Sequence, residues 1–131
     1  VRDWPYLRHR YLEHPEHRYR LVLVMGRLTT RPLGLLILRP MAERLAWIDW
    51  VAPLRHQPLL LKQARRLAAL WGHKTLYGWI PRHAVNAFQT DDMDALKTEI
   101  SIPTNAWVPQ PWSADQLRDR WWLTMGDTDF L

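Results

Sequence analysis

The stretch from Leu45 to Ile80 limits what this chain can fold into more than any other. Leu45 to Val51 is an apolar run of strand length. Pro53 and Pro58 break it, Leu59 to Trp71 follows with helical periodicity, and after Gly72 a second apolar run covers Thr75 to Ile80. A strand, a helix and a strand joined by short connections make a right-handed crossover, so the two strands lie parallel. The helix carries Leu60, Ala64, Leu67, Ala68 and Trp71 on one stripe, with Lys62, Arg65 and Arg66 off it. Pro58 suits the first helical position and Gly72 the C-terminal cap.

Before this unit come strand-like runs with no helix between them. Tyr19 to Met25 alternates, and Leu33 to Leu38 is apolar on both faces, as a central strand covered on both sides would be. In Leu45 to Val51, strict alternation places Leu45, Trp47, Asp49 and Val51 on one face and Ala46, Ile48 and Trp50 on the other. Asp3 to Leu12 reads as a short helix capped by Asp3, with Trp4, Leu7 and Tyr11 on an apolar face and His14-Pro15 ending it. Further on, the pattern predicts a short helix over Pro81 to Gln89, an acidic loop over Thr90 to Asp94 and a strand over Glu99 to Ile102. It then gives an extended linker over 107–112, a helix over Ser113 to Arg120 with Ser113 and Gln116 as capping box, and a last strand over Trp121 to Met125. The expected fold is α/β of mixed α+β type: a central mixed, mostly antiparallel sheet with flanking helices.

With 131 residues the chain is the size of one domain able to bury a core. The absence of cysteine excludes disulfides, thiolate catalysis and Cys-held metal sites, and fits a cytoplasmic protein. No apolar run reaches membrane-spanning length, no signal peptide is visible, and a membrane partner is not expected. The chain opens Val-Arg-Asp, and the expectation is a single domain over 1–131 cut from something longer. A formal net charge of +5, mostly from dispersed arginines, favours anionic partners, or else is a solvated basic surface.

Three groups could carry chemistry. The turn from Val51 to Leu59 lies where a ligand binds in an open α/β sheet, at the C-terminal end of a strand. The following helix offers unpaired N–H groups and a dipole end that suit phosphate, with Arg55 and His56 adding charge. The alternative is a plain strand-to-helix connection. Asp49, a carboxylate on a central strand, would have a raised pKa if buried and could act as a general base. Its alternative is a structural Asp bonded to nearby backbone or an arginine. The nine tryptophans, with arginine, could stack on single-stranded nucleic acid, but no RNA-binding fingerprint is present and core use is the default. The histidines His9, His14 and His17 are expected at the surface rather than on a metal, and Asp127 and Asp129 as caps.

The order of elements, with Arg10-Tyr11, His14-Pro15, Tyr19 and Asn86-Ala87, resembles the GNAT superfamily of acyl-CoA N-acyltransferases, and in particular the second half of longer bacterial acyltransferases. That resemblance implies an acyl-CoA cofactor, acetyl-CoA included. It places Val51, Ala52, Pro53, Arg55, His56, Gln57 and Leu59 around the cofactor and Asn86 on its pantetheine. It also implies that backbone N–H groups of a splayed strand hold the thioester carbonyl. Asp49 would be the base that deprotonates an amine acceptor. The family's pyrophosphate loop is Arg/Gln-x-x-Gly-x-Gly/Ala; the loop here is Arg55-His56-Gln57-Pro58-Leu59-Leu60, without glycine. That difference favours an alternative, a non-catalytic GNAT-like module that supports a catalytic half or binds a partner.

Overall fold

The computed structural model describes residues 2–98, 113, 116 and 122–128. It is a mixed α/β structure. Four strands, β1 (Arg20–Met25), β2 (Pro32–Pro40), β3 (Arg44–Val51) and β4 (Thr75–Gly78), lie side by side in chain order. The first two pairings are antiparallel, and β3 pairs with β4 in parallel. Helix α1 (Trp4–Leu7) runs on into one π-helical stretch, Arg8–Leu12. Helix α2 (Gln57–Leu70) makes the crossover, and α3 (Val85–Phe88) follows β4.

Each face of the sheet has its own apolar cluster. On one face α2 and α3 bury Leu36, Leu38, Leu45, Trp47, Trp50, Leu60, Ala64 and Phe88. On the other, Leu7 and Tyr11 join Ile37, Ala46, Ile48 and Met125. Coverage on both sides is why β2 and β3 are apolar at nearly every position rather than at alternate ones. Gly34 lets α2 sit directly on β2. A Cβ there would lie 2.8 Å from Ala52 Cβ and 2.9 Å from a Leu60 methyl. The helix stops as expected, with Gly72 at φ 77° after Trp71.

Four expectations need correction. Strict alternation in β3 fails. Ile37 pairs with Asp49 and Leu38 with Trp47, so Ile48 is an extra residue, a β-bulge. The bulge reverses the phase, and Trp50 shares a face with Leu45 and Trp47 while Asp49 faces the Tyr11 side. Strand β4 ends at Gly78 rather than Ile80. The N-terminal helix turns its Trp4 outward, 62% exposed, while Leu7 and Tyr11 pack on the sheet. Residues Trp122 to Thr124 form no strand, and Met125–Asp127 is a short 3-10 turn closed by a Thr124–Asp127 capping box. The Ser113–Gln116 capping bonds are present, at 2.8 and 3.2 Å. The strand expected over Glu99 to Ile102, the 107–112 linker, most of the 113–120 helix, Trp121 and Asp129 lie outside the described residues.

Candidate functional site

The parallel pair is the feature from which any site here is built. Its ladder starts at Arg44 with Thr75 and stops at Trp47 with Gly78. The two backbones meet closely at that last rung, where a Cβ on Gly78 would lie 2.7 Å from the Trp47 carbonyl oxygen. Immediately beyond it comes the bulge, and β3 continues to Val51 without β4 beside it. A bulge bends its strand and sharpens the local twist, and the β3–β4 pairing ends just before it. The chain then turns through Leu54–His56 into α2.

Asp49 sits at the bend and is fully buried. Its Oδ1 accepts from the Trp50 backbone N–H at 2.8 Å and from Thr124 Oγ1 at 3.0 Å. Its Oδ2 accepts from Arg2 Nε at 2.6 Å and from the Tyr11 hydroxyl at 3.0 Å. Arg2 also donates to Asp127 at 2.7 Å, and Asp127 in turn accepts from the Thr124 N–H at 2.8 Å. Arg10 donates to the Gly126 and Thr128 carbonyls at 3.2 and 2.8 Å. One carboxylate thus ties the N-terminal segment, the bulge and the 122–128 segment together. Burial raises the Tyr11 pKa above its ordinary value, and the Asp49 charge raises it further. Burial disfavours the Arg2 charge, but its hydrogen bond to Asp49 and the Asp49 charge outweigh that, so the Arg2 pKa is raised.

Four donors on two oxygens is what an acceptor-only carboxylate needs in order to be buried. The geometry makes Asp49 an anchor for the bulge. It supplies the hydrogen bond that the Trp50 N–H needs where the ladder is broken, and the Asp49 carbonyl accepts from Trp47 Nε1 at 3.2 Å. Sequence reasoning singled out Asp49 and missed its partners Arg2, Tyr11 and Thr124, and Asp127 as the second acceptor for Arg2 and Thr124. The available signal was chemical need. A buried Asp wants donors and a buried Tyr hydroxyl wants an acceptor.

The residues expected around a cofactor do not form one cluster. Val51, Ala52 and Pro53 line an apolar cavity of about 400 Å³ together with Leu7, Leu23 and residues 32–35. Arg55 is exposed, and its Nε lies 3.3 Å from His56 Nε2, while His56 Nδ1 contacts the Leu33 carbonyl at 2.9 Å. Both contacts together assign the Nδ1–H tautomer to His56. Gln57 is 1% exposed and its Oε1 has no partner. Leu59 packs against the α2-side core. Asn86 is exposed on α3, which packs on α2. The helix start is also a leaner anion cradle than the sequence suggests. His56 N–H is used by Pro53 O, Gln57 N–H by Leu54 O, and Pro58 has none.

Elsewhere, His14 and His17 stack with centroids 4.9 Å apart, and His14 Nδ1 accepts from two backbone N–H groups. No group of three His, Asp or Glu among the described residues could hold a metal, and no described helix is long and apolar enough to cross a membrane. The chain matches no protein-family model, no curated protein and no solved structure.

Proposed function

We propose that this chain is a GNAT-like module that binds an acyl-CoA thioester and, as an N-acyltransferase, passes the acyl group to an amine. One observation carries the reading: the β3–β4 ladder ends at Trp47–Gly78, next to the bulge in β3. Two diverging parallel strands leave a slot at their C-terminal ends, where open α/β sheets take their ligands. In this reading the thioester lies in the slot, and the nucleotide end passes the start of α2, where the exposed Arg55 would exchange its His56 contact for phosphate. Asn86, on the helix that follows β4, meets the pantetheine arm.

The saturated state of Asp49 favours a second reading, a non-catalytic module of the same fold. A base must accept a proton from the amine, and both Asp49 oxygens already accept two hydrogen bonds. Without another base, the slot would hold a thioester and catalyse nothing.

Calorimetry with coenzyme A and acetyl-CoA separates these readings from a module with no ligand of this kind. Micromolar binding that weakens strongly in Arg55→Glu supports a coenzyme A site. Silence at millimolar ligand removes it. Thiol release from acetyl-CoA in the presence of an amine panel then distinguishes the enzyme from the binding module.

A further inference from the structure

One end of the sheet carries apolar side chains that nothing among the described residues covers. The β1–β2 hairpin closes through the Gly26 N–H on the Arg31 carbonyl, and its loop holds Leu28 at 95% exposed. Beside it lies the turn after β3. His56 in that turn contacts the Leu33 carbonyl near the start of β2, and Leu54 is 72% exposed. Between the two loops, Leu23, Leu35 and Val51 stand in one register row across β1, β2 and β3. Leu7 of α1 borders the row, yet Leu23 and Val51 stay exposed. The cavity of about 400 Å³ along this row is lined by apolar residues alone. Monomeric proteins seldom leave such a patch bare without a use for it.

The rim of the patch has one sign of charge. Arg27 and Arg31 flank Leu28, Arg55 follows Leu54, and all three are exposed. The segments that build this end, 17–42 and 50–90, contain no aspartate or glutamate. Of the carboxylates on the N-terminal segment, Asp3 caps its own helix and Glu13 pairs with Arg8. A second copy of the chain would therefore set arginine against arginine. Nucleic acid would satisfy the arginines and leave Leu28 and Leu54 in water. An anionic bilayer suits both sets, because apolar side chains enter the acyl boundary while the flanking arginines reach the phosphates.

We propose that this end of the sheet docks on an anionic lipid surface, with Leu28 and Leu54 inserted and Arg27, Arg31 and Arg55 on the headgroups. A surface contact of this kind needs no spanning helix. It does not rest on the coenzyme A reading, and the hairpin loop takes no part in that reading.

Co-sedimentation of the 131-residue chain with phosphatidylcholine vesicles, with and without phosphatidylglycerol, tests the proposal. Binding should require phosphatidylglycerol and weaken as salt rises. Each arginine near an anionic surface gives about fivefold, so Arg27→Gln with Arg31→Gln should weaken binding about 25-fold. Leu28→Glu should weaken it at least about tenfold, since it removes the inserted apolar side chain. Both variants alter only exposed loop positions and should fold. Lys62→Gln with Arg66→Gln takes the same charge from the exposed side of α2, on the opposite face of the sheet, and should weaken binding far less. Equal losses in the two double variants would reduce the binding to diffuse charge attraction and overturn the inference. So would vesicle binding that Leu28→Glu leaves unchanged, or no binding to phosphatidylglycerol vesicles. A chain that ignores vesicles but forms a dimer sensitive to Leu28→Glu, or binds single-stranded oligonucleotide through Arg27 and Arg31, overturns it in favour of a second copy or nucleic acid.

Discussion

Replacing Asp49 tests whether it anchors the bulge or acts as a base. In Asp49→Ala the Trp50 N–H is left with nothing and the buried Tyr11 hydroxyl loses its carboxylate acceptor. Thr124 and Arg2 keep Asp127 as a partner. An orphaned buried donor costs about 1–3 kcal/mol, so the two together cost about 4 kcal/mol. Against a total stability of about 5–15 kcal/mol this is a large loss. Asp49→Asn keeps the shape and one acceptor. Placed with its oxygen toward Trp50 N–H and Thr124, it sets an N–H₂ against Arg2 Nε and the Tyr11 hydroxyl. Losing the charge-assisted bonds costs about 2–3 kcal/mol. Tyr11→Phe removes one donor from a carboxylate that keeps three, for about 1 kcal/mol. Urea unfolding followed by tryptophan fluorescence and far-ultraviolet circular dichroism measures all three. The expected order of loss is Ala, then Asn, then the Tyr11 variant. An Asp49→Asn protein that unfolds at the wild-type urea midpoint refutes the anchor role. If that same protein has also lost acyl transfer, the carboxylate is a base.

Other perturbations read other parts of the structure. Because the folded-state pKa of Tyr11 is raised, the unfolded chain releases that proton first as pH climbs. Stability should therefore fall above about pH 10, the ordinary tyrosine value, and Tyr11→Phe should flatten that fall in urea midpoints taken across the alkaline range. Gly34→Val should cost about 1–3 kcal/mol, the usual size of an overpacking penalty, since α2 must lift off β2; an unchanged melting temperature would mean the contact is looser than 2.8 Å implies. Gly126→Ala would put a Cβ onto the Tyr11 hydroxyl, so it should reproduce most of the Tyr11→Phe loss in the same unfolding assay.

The crossover was legible because each of its signals is local. Pro58, Gly72 and the stripe Leu60, Ala64, Ala68 act within one helix, and the apolar runs on either side are long enough to be strands. The bulge was not legible. Leu45-Ala46-Trp47-Ile48-Asp49-Trp50-Val51 is apolar at every position but one, so no periodicity marks the residue at which the phase slips. The slip becomes visible through the pairing with Ile37 and Leu38, which is a tertiary fact. The same holds for the partners of Asp49. Arg2 and Thr124 are 47 and 75 residues away, and nothing near Asp49 in the sequence announces them. Chain order placed Arg55 and His56 after the first of the two parallel strands and Asn86 after the second. It could not tell that His56 would be engaged with Leu33 or that Gln57 would be buried.

Asp49 and Gly78 bear on the same point of the fold. Gly78 allows a close approach of β3 and β4 at their last rung, and Asp49 stabilises the bulge in β3 just past it. A bulge left alone would strand a backbone N–H in the core, a cost that a sequence free to close the ladder would avoid. Here a buried carboxylate, an arginine, a tyrosine and a distant threonine are all committed to keeping it open. Stabilisation concentrated at a bend, rather than spread through the core, is what a gap needs if it is to exist before any ligand arrives. A preformed gap lowers the ordering cost of binding. In the proposed reading the anchor serves the slot even though it touches nothing in it. Loosening it, as in Asp49→Asn, should weaken thioester binding in parallel with the loss of stability.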